Sequence, residues 1–273
     1  GVRSDTVLMD TGPVEGYNAN YNAAPTYPAT RFNLADRSKV YPNWDVTALA
    51  KYTPDDKQTY SFGFSRKTRA PNMYELYSWS TAMMAMEMVG WFGDGNYYVG
   101  NLALNPEAAN TLSATADWHD PDGNWAFQIT PYYTYITDYI DVQRCPLAVC
   151  GNTMMNRMNL TATTGFVSLQ FVNQSARIFG VDMSGRVVLA KETPYGTFSV
   201  KGMLSYANGR NETTGDNLYN IMPLNAKIGL EQQWGGWTCL IERQPLRSTP
   251  EPSPARNQSN PCSAAPVKRR RQR

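Results

Sequence analysis

From Thr59 to Ser65 apolar and polar residues alternate without a break, with Tyr60, Phe62 and Phe64 on one parity and Thr59, Ser61, Gly63 and Ser65 on the other. The same alternation returns at Leu112, Ala114, Ala116 and Trp118, set between Thr111, Ser113, Thr115 and Asp117. Successive side chains of a strand point to opposite faces, so each stretch reads as a strand with one greasy and one wet face. A water-soluble sandwich can carry this pattern. So can the wall of a membrane barrel, with lipid on the apolar side and a polar lumen on the other.

The connections separate these two architectures. The alternation predicts seven strands, over 44–53, 58–68, 110–119, 125–140, 166–190, 197–208 and 222–234. Short turns follow the first, third and fifth, at Pro54 to Asp56, Asp120 to Asn124 and Glu192 to Gly196; the intervening connections, 70–109, 141–165 and 209–221, are long. Short turns at one end and long loops at the other are the periplasmic and extracellular ends of an outer-membrane barrel. Trp44, Tyr52, Trp118, Trp125 and Tyr135 fall near strand ends, where aromatic girdles belong. No run of 18 apolar residues occurs, which excludes a spanning helix and leaves spanning strands open.

The expected fold is therefore all-β, an antiparallel transmembrane β-barrel present as a partial, roughly seven-strand portion. Seven strands do not close a wide barrel, and lipid does not tolerate an open edge. The stretch from Phe166 to Ala190 is longer than the 9 to 11 residues that cross a bilayer. It is expected to project beyond the outer surface, with a bulge near Asn173 to Ala176. Two regions are expected: 1–237 as partial barrel, and 238–273 as a basic low-complexity tail, disordered or frame-disrupted. That tail holds eight basic residues against two acidic ones and ends in Lys268 to Arg273. The chain starts at Gly1, so any secretory signal is expected to have been removed or to lie upstream.

Composition removes several function classes. Lys plus Arg number 25 against 23 Asp plus Glu, so no charge field points to nucleic acid. A Ser/His/Asp triad or an imidazole metal site would have to use His119, the single histidine, beside the Asp120–Gly123 turn. A calcium loop through Asp120, Asp122 and Asn124 fails at its sixth position, where Trp125 replaces the required glycine. Neither a nucleophile with a base nor a defined carboxylate pair emerges, so the chain reads as non-enzymatic, with no cofactor.

Three segments resemble TonB-dependent outer-membrane receptors, in the C-terminal part of their barrel: FSRKTRAPNMYELY (64–77), GNLALNPEAANTL (100–112) and QFVNQSARIFGVD (170–182). The resemblance covers roughly residues 1–237. It implies uptake of a metal or metal chelate, copper or a ferric siderophore, across the bacterial outer membrane. It also implies contact with outer-membrane lipid and lipopolysaccharide, and coupling to the TonB complex. The plug and TonB-box that make that coupling have no counterpart in these residues. A non-transporting structural or adhesion barrel is the alternative.

Candidate ligand contacts follow. Seven of twelve methionines sit in two outer loops, Met83, Met84, Met86 and Met88 in one and Met154, Met155 and Met158 in the other. Thioether sulfur is a soft donor suited to Cu(I); it also fills apolar gaps beside residues such as Trp79, Trp91 and Phe92. Lys67 and Arg69 share the lumenal parity with Ser65 and stand near the outer mouth. There they attract an anionic chelate or pair with acids such as Asp117, Asp138 or Asp182. Arg66 points outward at the rim, towards lipopolysaccharide phosphates. Tyr74, Tyr77, Trp79, Trp91, Tyr97 and Tyr98 offer stacking surfaces or loop packing. Cys145 and Cys150 are spaced for a small disulfide loop in an oxidising compartment, or for thiolate copper ligation if reduced.

Overall fold

The computed structural model describes residues 1–15, 28–81, 89, 96–150, 167–219 and 221–243. They form one ten-stranded sheet. Its strands are β1 (Val2–Met9), β2 (Lys39–Asp55), β3 (Gln58–Arg69), β4 (Tyr97–Val99), β5 (Glu107–His119), β6 (Trp125–Arg144), β7 (Ser168–Thr193), β8 (Gly196–Asn211), β9 (Asn225–Trp234) and β10 (Trp237–Arg243). Nine of them pair antiparallel in the order β1-β2-β3-β5-β6-β7-β8-β9-β10, and β4 runs parallel to the start of β7. All seven expected strands are present. The count rises to ten because β1, β4 and β10 carry too little alternation to be read from sequence. β10 crosses the 237/238 boundary, and residues 244–273 of the expected tail lie outside the described residues.

Among the described residues β1 and β10 do not pair, so the sheet is a section of wall rather than a closed barrel. No described helix is long and apolar enough to cross a membrane. Each strand registers with the next so that the apolar parities coincide. Phe64 stands opposite Leu112, Leu112 opposite Tyr133, and Tyr133 opposite Phe179. The resulting outer face is exposed, with Phe62 at 60% and Leu112 at 61%. On the opposite face hydroxyls bond across strands, Thr111 to Thr134 at 2.8 Å and Thr115 to Thr130 at 3.0 Å. A large exposed apolar face is a liability in water and a requirement in lipid.

All four short turns fall at one end. The turn after β5 is closed by Asp120, whose backbone N–H donates to the Trp125 carbonyl and whose carboxylate accepts from the Asn124 amide groups; Gly123 supplies the positive φ of 71°. Gly235 and Gly236 make the β9–β10 turn at φ 53° and 85°. Aromatics gather just inside this end. Trp118 stacks on Phe127 at 6.0 Å and meets Tyr60 edge-on at 6.2 Å. Tyr52 on β2, Trp234 on β9 and Trp237 on β10 stand exposed at the same end. On β2, Trp44 and Tyr52 are separated by about 26 Å along the strand, close to the roughly 25 Å apolar band of such barrels.

The expected bulge is real, but its extra residue lies across the ladder. Between the pairs Ile136–Ala176 and Tyr139–Gln174, β6 advances three residues while β7 advances two, and Asp138 takes φ 55°. The bulge swaps the parity of β6. Ile140 and Val142 thereby turn to the side of Asn173 and Phe171 rather than continuing the pattern set by Tyr133 and Tyr135.

Because one face meets lipid and the other a lumen, the two should answer differently to charge. Phe62→Arg is expected to cost about 2–4 kcal/mol in a bilayer, and Ser61→Arg, one residue away on the lumenal side, below about 1 kcal/mol. Denaturant titration of the chain folded in lipid vesicles measures both; equal costs would assign the wrong face to lipid.

Candidate functional site: the cap formed by the long connections

The long connections gather at the other end and pack there into a cap. Its core is Tyr41, Leu76, Tyr98, Leu104, Ile140, Val142, Val167, Leu169 and Phe171. These residues come from strand ends and from two connections far apart in sequence. Two short helices contribute, α1 (Pro28–Leu34) and α2 (Met73–Tyr77); a third, α3 (Leu147–Cys150), leads out of β6.

The segment 64–77 forms a clasp. Asn72 caps α2 by accepting from the Tyr74 and Glu75 N–H groups, while the Glu75 carboxylate accepts from the Asn72 N–H at 2.7 Å. That carboxylate is 2% exposed and receives Arg69 at 3.0 Å. Arg69 also donates from Nε to Glu107 at 2.7 Å, and the second oxygen of Glu107 accepts from the Ile140 N–H. One guanidinium thus joins the end of β3, α2, β5 and β6. Lys67 pairs with Asp45 at 3.4 Å. Both cations are therefore compensated, by Asp45, Glu75 and Glu107 rather than by Asp117, Asp138 or Asp182. Those three bond instead to His119, Asn105 and Ser205.

The segment 100–112 closes over the clasp. The Gly100 N–H donates to Ser78 and the Asn101 N–H to Glu75. A Cβ on Gly100 would stand 2.7 Å from the Leu76 carbonyl oxygen, so only glycine fits this approach. The Asn101 side chain donates to the Phe171 carbonyl at 3.0 Å, and Asn173 accepts from the Asn105 N–H at 2.8 Å. Asn173 also donates to the carbonyl of Asp138, tying the cap to the bulge. The three sequence segments singled out above are thus one mechanical unit.

The sequence-predicted aromatics have separate fates. Tyr98 is fully buried and stacks on Phe171 at 5.8 Å, which leaves its ring no face for a ligand. Tyr77 meets Phe32 edge-on at 6.5 Å and donates to the Arg37 carbonyl. Burial, with Asp10 and Asp36 nearby, pushes its hydroxyl pKa up, so it remains a neutral donor. Trp79 lies 6.2 Å from Phe32, and Tyr97 packs against the Val99, Cys145 and Cys150 cluster. Tyr74 alone among those described keeps most of its surface, at 59%. Trp91 and all seven methionines lie outside the described residues.

The structure joins Cys145 to Cys150, with Cα atoms 6.1 Å apart. Both sulfurs are buried beside Val99. Arg31 of α1 donates to the Ala148 and Val149 carbonyls at the end of α3, fixing the disulfide loop to the first connection. Sequence reasoning missed Arg31, Glu75 and Glu107; the N-x-x-E spacing from Asn72 to Glu75 is the signal that carried the last turn of the clasp. Among the described residues no three His, Cys, Asp or Glu side chains gather to hold a metal.

Arg69→Met would leave the buried Glu75 carboxylate with only the Asn72 N–H. Loosening of the cap by about 1–3 kcal/mol is expected, read as faster hydrogen exchange of the Leu76 and Asn101 amides against unchanged exchange in β5. Without reductant, a thiol probe should label the exposed Cys239 and spare Cys145 and Cys150 until reductant is added; labelling of either before reduction would contradict the bridge.

Among solved structures the chain is similar to the copper transporter OprC, at 20% identity and TM-score 0.51, over 77% of this chain and 28% of that one. It is also similar to a substituted ferric enterobactin receptor of Pseudomonas aeruginosa, PfeA, in complex with enterobactin, at 19% identity and TM-score 0.52, over 70% of this chain and 26% of that one. The chain therefore spans little more than a quarter of either, and at this identity the likeness is one of fold. No curated protein sequence matches the chain. A family model, TonB dependent receptor-like, beta-barrel, matches residues 2–257. With the paired wall, the long loops at one end and that match, the chain belongs to the TonB-dependent receptors and forms part of their outer-membrane β-barrel.

Proposed function

We propose that this section of wall and cap serves TonB-energised uptake of a metal, with Cu(I) as the ligand its outer loops capture. The observation that supports copper is how the two methionine-bearing connections are anchored. The segment carrying Met83, Met84, Met86 and Met88 ends at Asn96, and the one carrying Met154, Met155 and Met158 ends at Val167. Asn96 accepts from the Val167 N–H at 3.0 Å, and the Tyr97 N–H donates back to the Val167 carbonyl at 3.0 Å. β4 then runs parallel beside β7 for three residues. The described ends of the two methionine-bearing connections thus meet at one seat, with the disulfide before the second connection packed on Val99. Thioethers suit Cu(I).

A ferric siderophore is the second reading, supported by exposed Tyr74 at the mouth. It draws little from Lys67 and Arg69, since both are neutralised by neighbours. Uptake through a lumen requires a plug and a TonB contact, contributed by other parts of the receptor.

Calorimetric titration of the refolded chain with Cu(I) and with a ferric catecholate tests the assignment. Leucine at Met83, Met86, Met154 and Met158 keeps side-chain volume and removes sulfur. Copper binding at least tenfold weaker in this variant supports the methionine site; copper binding unchanged by it, or binding of the ferric chelate alone, moves the assignment to a siderophore.

A further inference from the structure

The connection between β8 and β9 turns back onto the wall as soon as it leaves it. Past Asn211 the side-chain oxygen of that residue accepts from the Thr213 and Thr214 N–H groups, the Gly215 N–H donates to the Asn211 carbonyl, and Gly215 takes φ 78°. Asn217 then bridges to Arg210, and the Leu218 N–H donates to the Gly209 carbonyl at 2.9 Å. From that bridge to the pair Ser205–Asn225 the returning chain advances eight residues while β8 advances five. The surplus leaves the plane of the sheet, and its apolar side chains fold onto one face.

That face is the lumenal one. Gly209 stands opposite Ile178, which alternates with lipid-facing Phe179, and the pair Ile136–Ala176 shares the parity of Ile178. Leu218, 6% exposed, packs with Ile136 and Ala176, and Ile178 and Ile221 lie against them. Gly209 is the floor of this seat: a Cβ there would stand 2.7 Å from Ile221 Cδ1 and 3.0 Å from Leu218 Cδ1. Tyr219, the neighbour of Leu218, packs instead against the core of the cap. The base of the connection is held by hydrogen bonds. The Glu212 N–H donates to the Ser175 carbonyl, the Ser175 N–H to the Thr213 hydroxyl, and the buried Asn211 side chain donates to Asp141 at 2.9 Å and to Gln174. Beyond that base the strap is seated by Leu218 and Ile221 on the wall and by Tyr219 on the cap.

We propose that this strap is a relay between the cap and the lumenal wall, with a seated and an unseated state that both neighbours bias. Opening of the cap withdraws the surface on which Tyr219 packs, favours the unseated state, and uncovers Ile136, Ala176 and Ile178 to the lumen. One equilibrium links the two steps, so the influence is reciprocal: unseating Leu218 and Ile221 loosens the cap. A rearrangement at the outer mouth thereby reaches the lumenal face of β6, β7 and β8, whichever ligand causes it. Apolar contacts suit an element that leaves and returns, because they are non-directional. The Arg69 clasp, built from ion pairs, fixes a single arrangement.

Hydrogen exchange of the full chain refolded in detergent micelles tests the relay. The Leu218 amide reports on the strap, the Leu76 and Asn101 amides on the cap, and the β5 amides on the wall. Arg69→Met, which disturbs the cap, should speed exchange at Leu218 about fivefold or more. Gly209→Val, which fills the seat, should speed it at Leu76 and Asn101 by a similar factor, with β5 unchanged in both variants. In a Tyr219→Ala background both cross effects should vanish. Leu218 exchange left unchanged by Arg69→Met while Leu76 speeds up would make cap and strap independent and overturn the relay. Cross effects that survive Tyr219→Ala would route the coupling around the strap and overturn it equally. If Gly209→Val unfolds the wall, seen as lost protection in β5, the Arg69→Met arm with and without Tyr219→Ala decides alone; if Arg69→Met leaves the cap amides unmoved, the Gly209→Val arm decides. A Leu218 amide unprotected in the parent chain would mean that the strap is not seated, and the relay fails.

Discussion

Backbone hydrogen bonding in a solvent that offers none is the constraint under everything else in this molecule. In hydrocarbon each unpaired N–H or C=O costs several kcal/mol, so a strand crosses only if its neighbours accept all its bonds. The wall meets this demand with continuous ladders, twelve consecutive pairs between β3 and β5 and long runs on both sides of β7. Once the ladders fix the register, side chains have no further freedom about which face they take. The apolar parities must agree from strand to strand, and from β3 to β7 they do, at Phe64, Leu112, Tyr133 and Phe179.

Above the bilayer the same strands face a different solvent and follow different rules. There buried polar groups can be satisfied one at a time, and the cap uses asparagine to do so. The side chains of Asn72, Asn96, Asn101 and Asn173 each bond to backbone of another segment or of their own turn, and that of Asn105 reaches the Asp138 carboxylate. At its centre the Arg69 bridge holds a carboxylate that is nearly inaccessible. Burying such a charge is unfavourable unless its bonds are complete, so the bridge fixes one arrangement of α2 against β5 and β6 more than it adds stability.

How much of this could be read from residues alone follows from the same division. The seven alternating strands were legible because lipid on one face and water on the other imposes a period of two, and Thr59 to Ser65 displays it openly. β1, β4 and β10 were not. β1 (VRSDTVLM) and β10 (WTCLIER) mix charged and apolar residues without a period of two, and β4 is three residues long in a connection whose sequence has no period. The bulge was foreseen near residues 173–176 because β7 is too long, yet its extra residue sits at Asp138 in β6, since length says that a strand must bend but not which partner carries the irregularity. Pairing of Cys145 with Cys150 was legible from spacing. The partners of Lys67 and Arg69 were not, because Glu75 and Glu107 come into reach only through the fold of the connection between them.

The bulge at Asp138 also divides the β6–β7 hairpin into two stretches with independent sequence grammars. Below it, even positions of β6 face the lumen; above it, odd positions take over, and Ile140 and Val142 answer to a protein core instead of to lipid. A single inserted residue therefore acts as a phase boundary. Substitutions that reshape the cap need not compromise how the wall fits the bilayer, and the bilayer's thickness places no limit on how far the cap diverges. One chain can keep an invariant membrane section and still vary what it holds out to the medium.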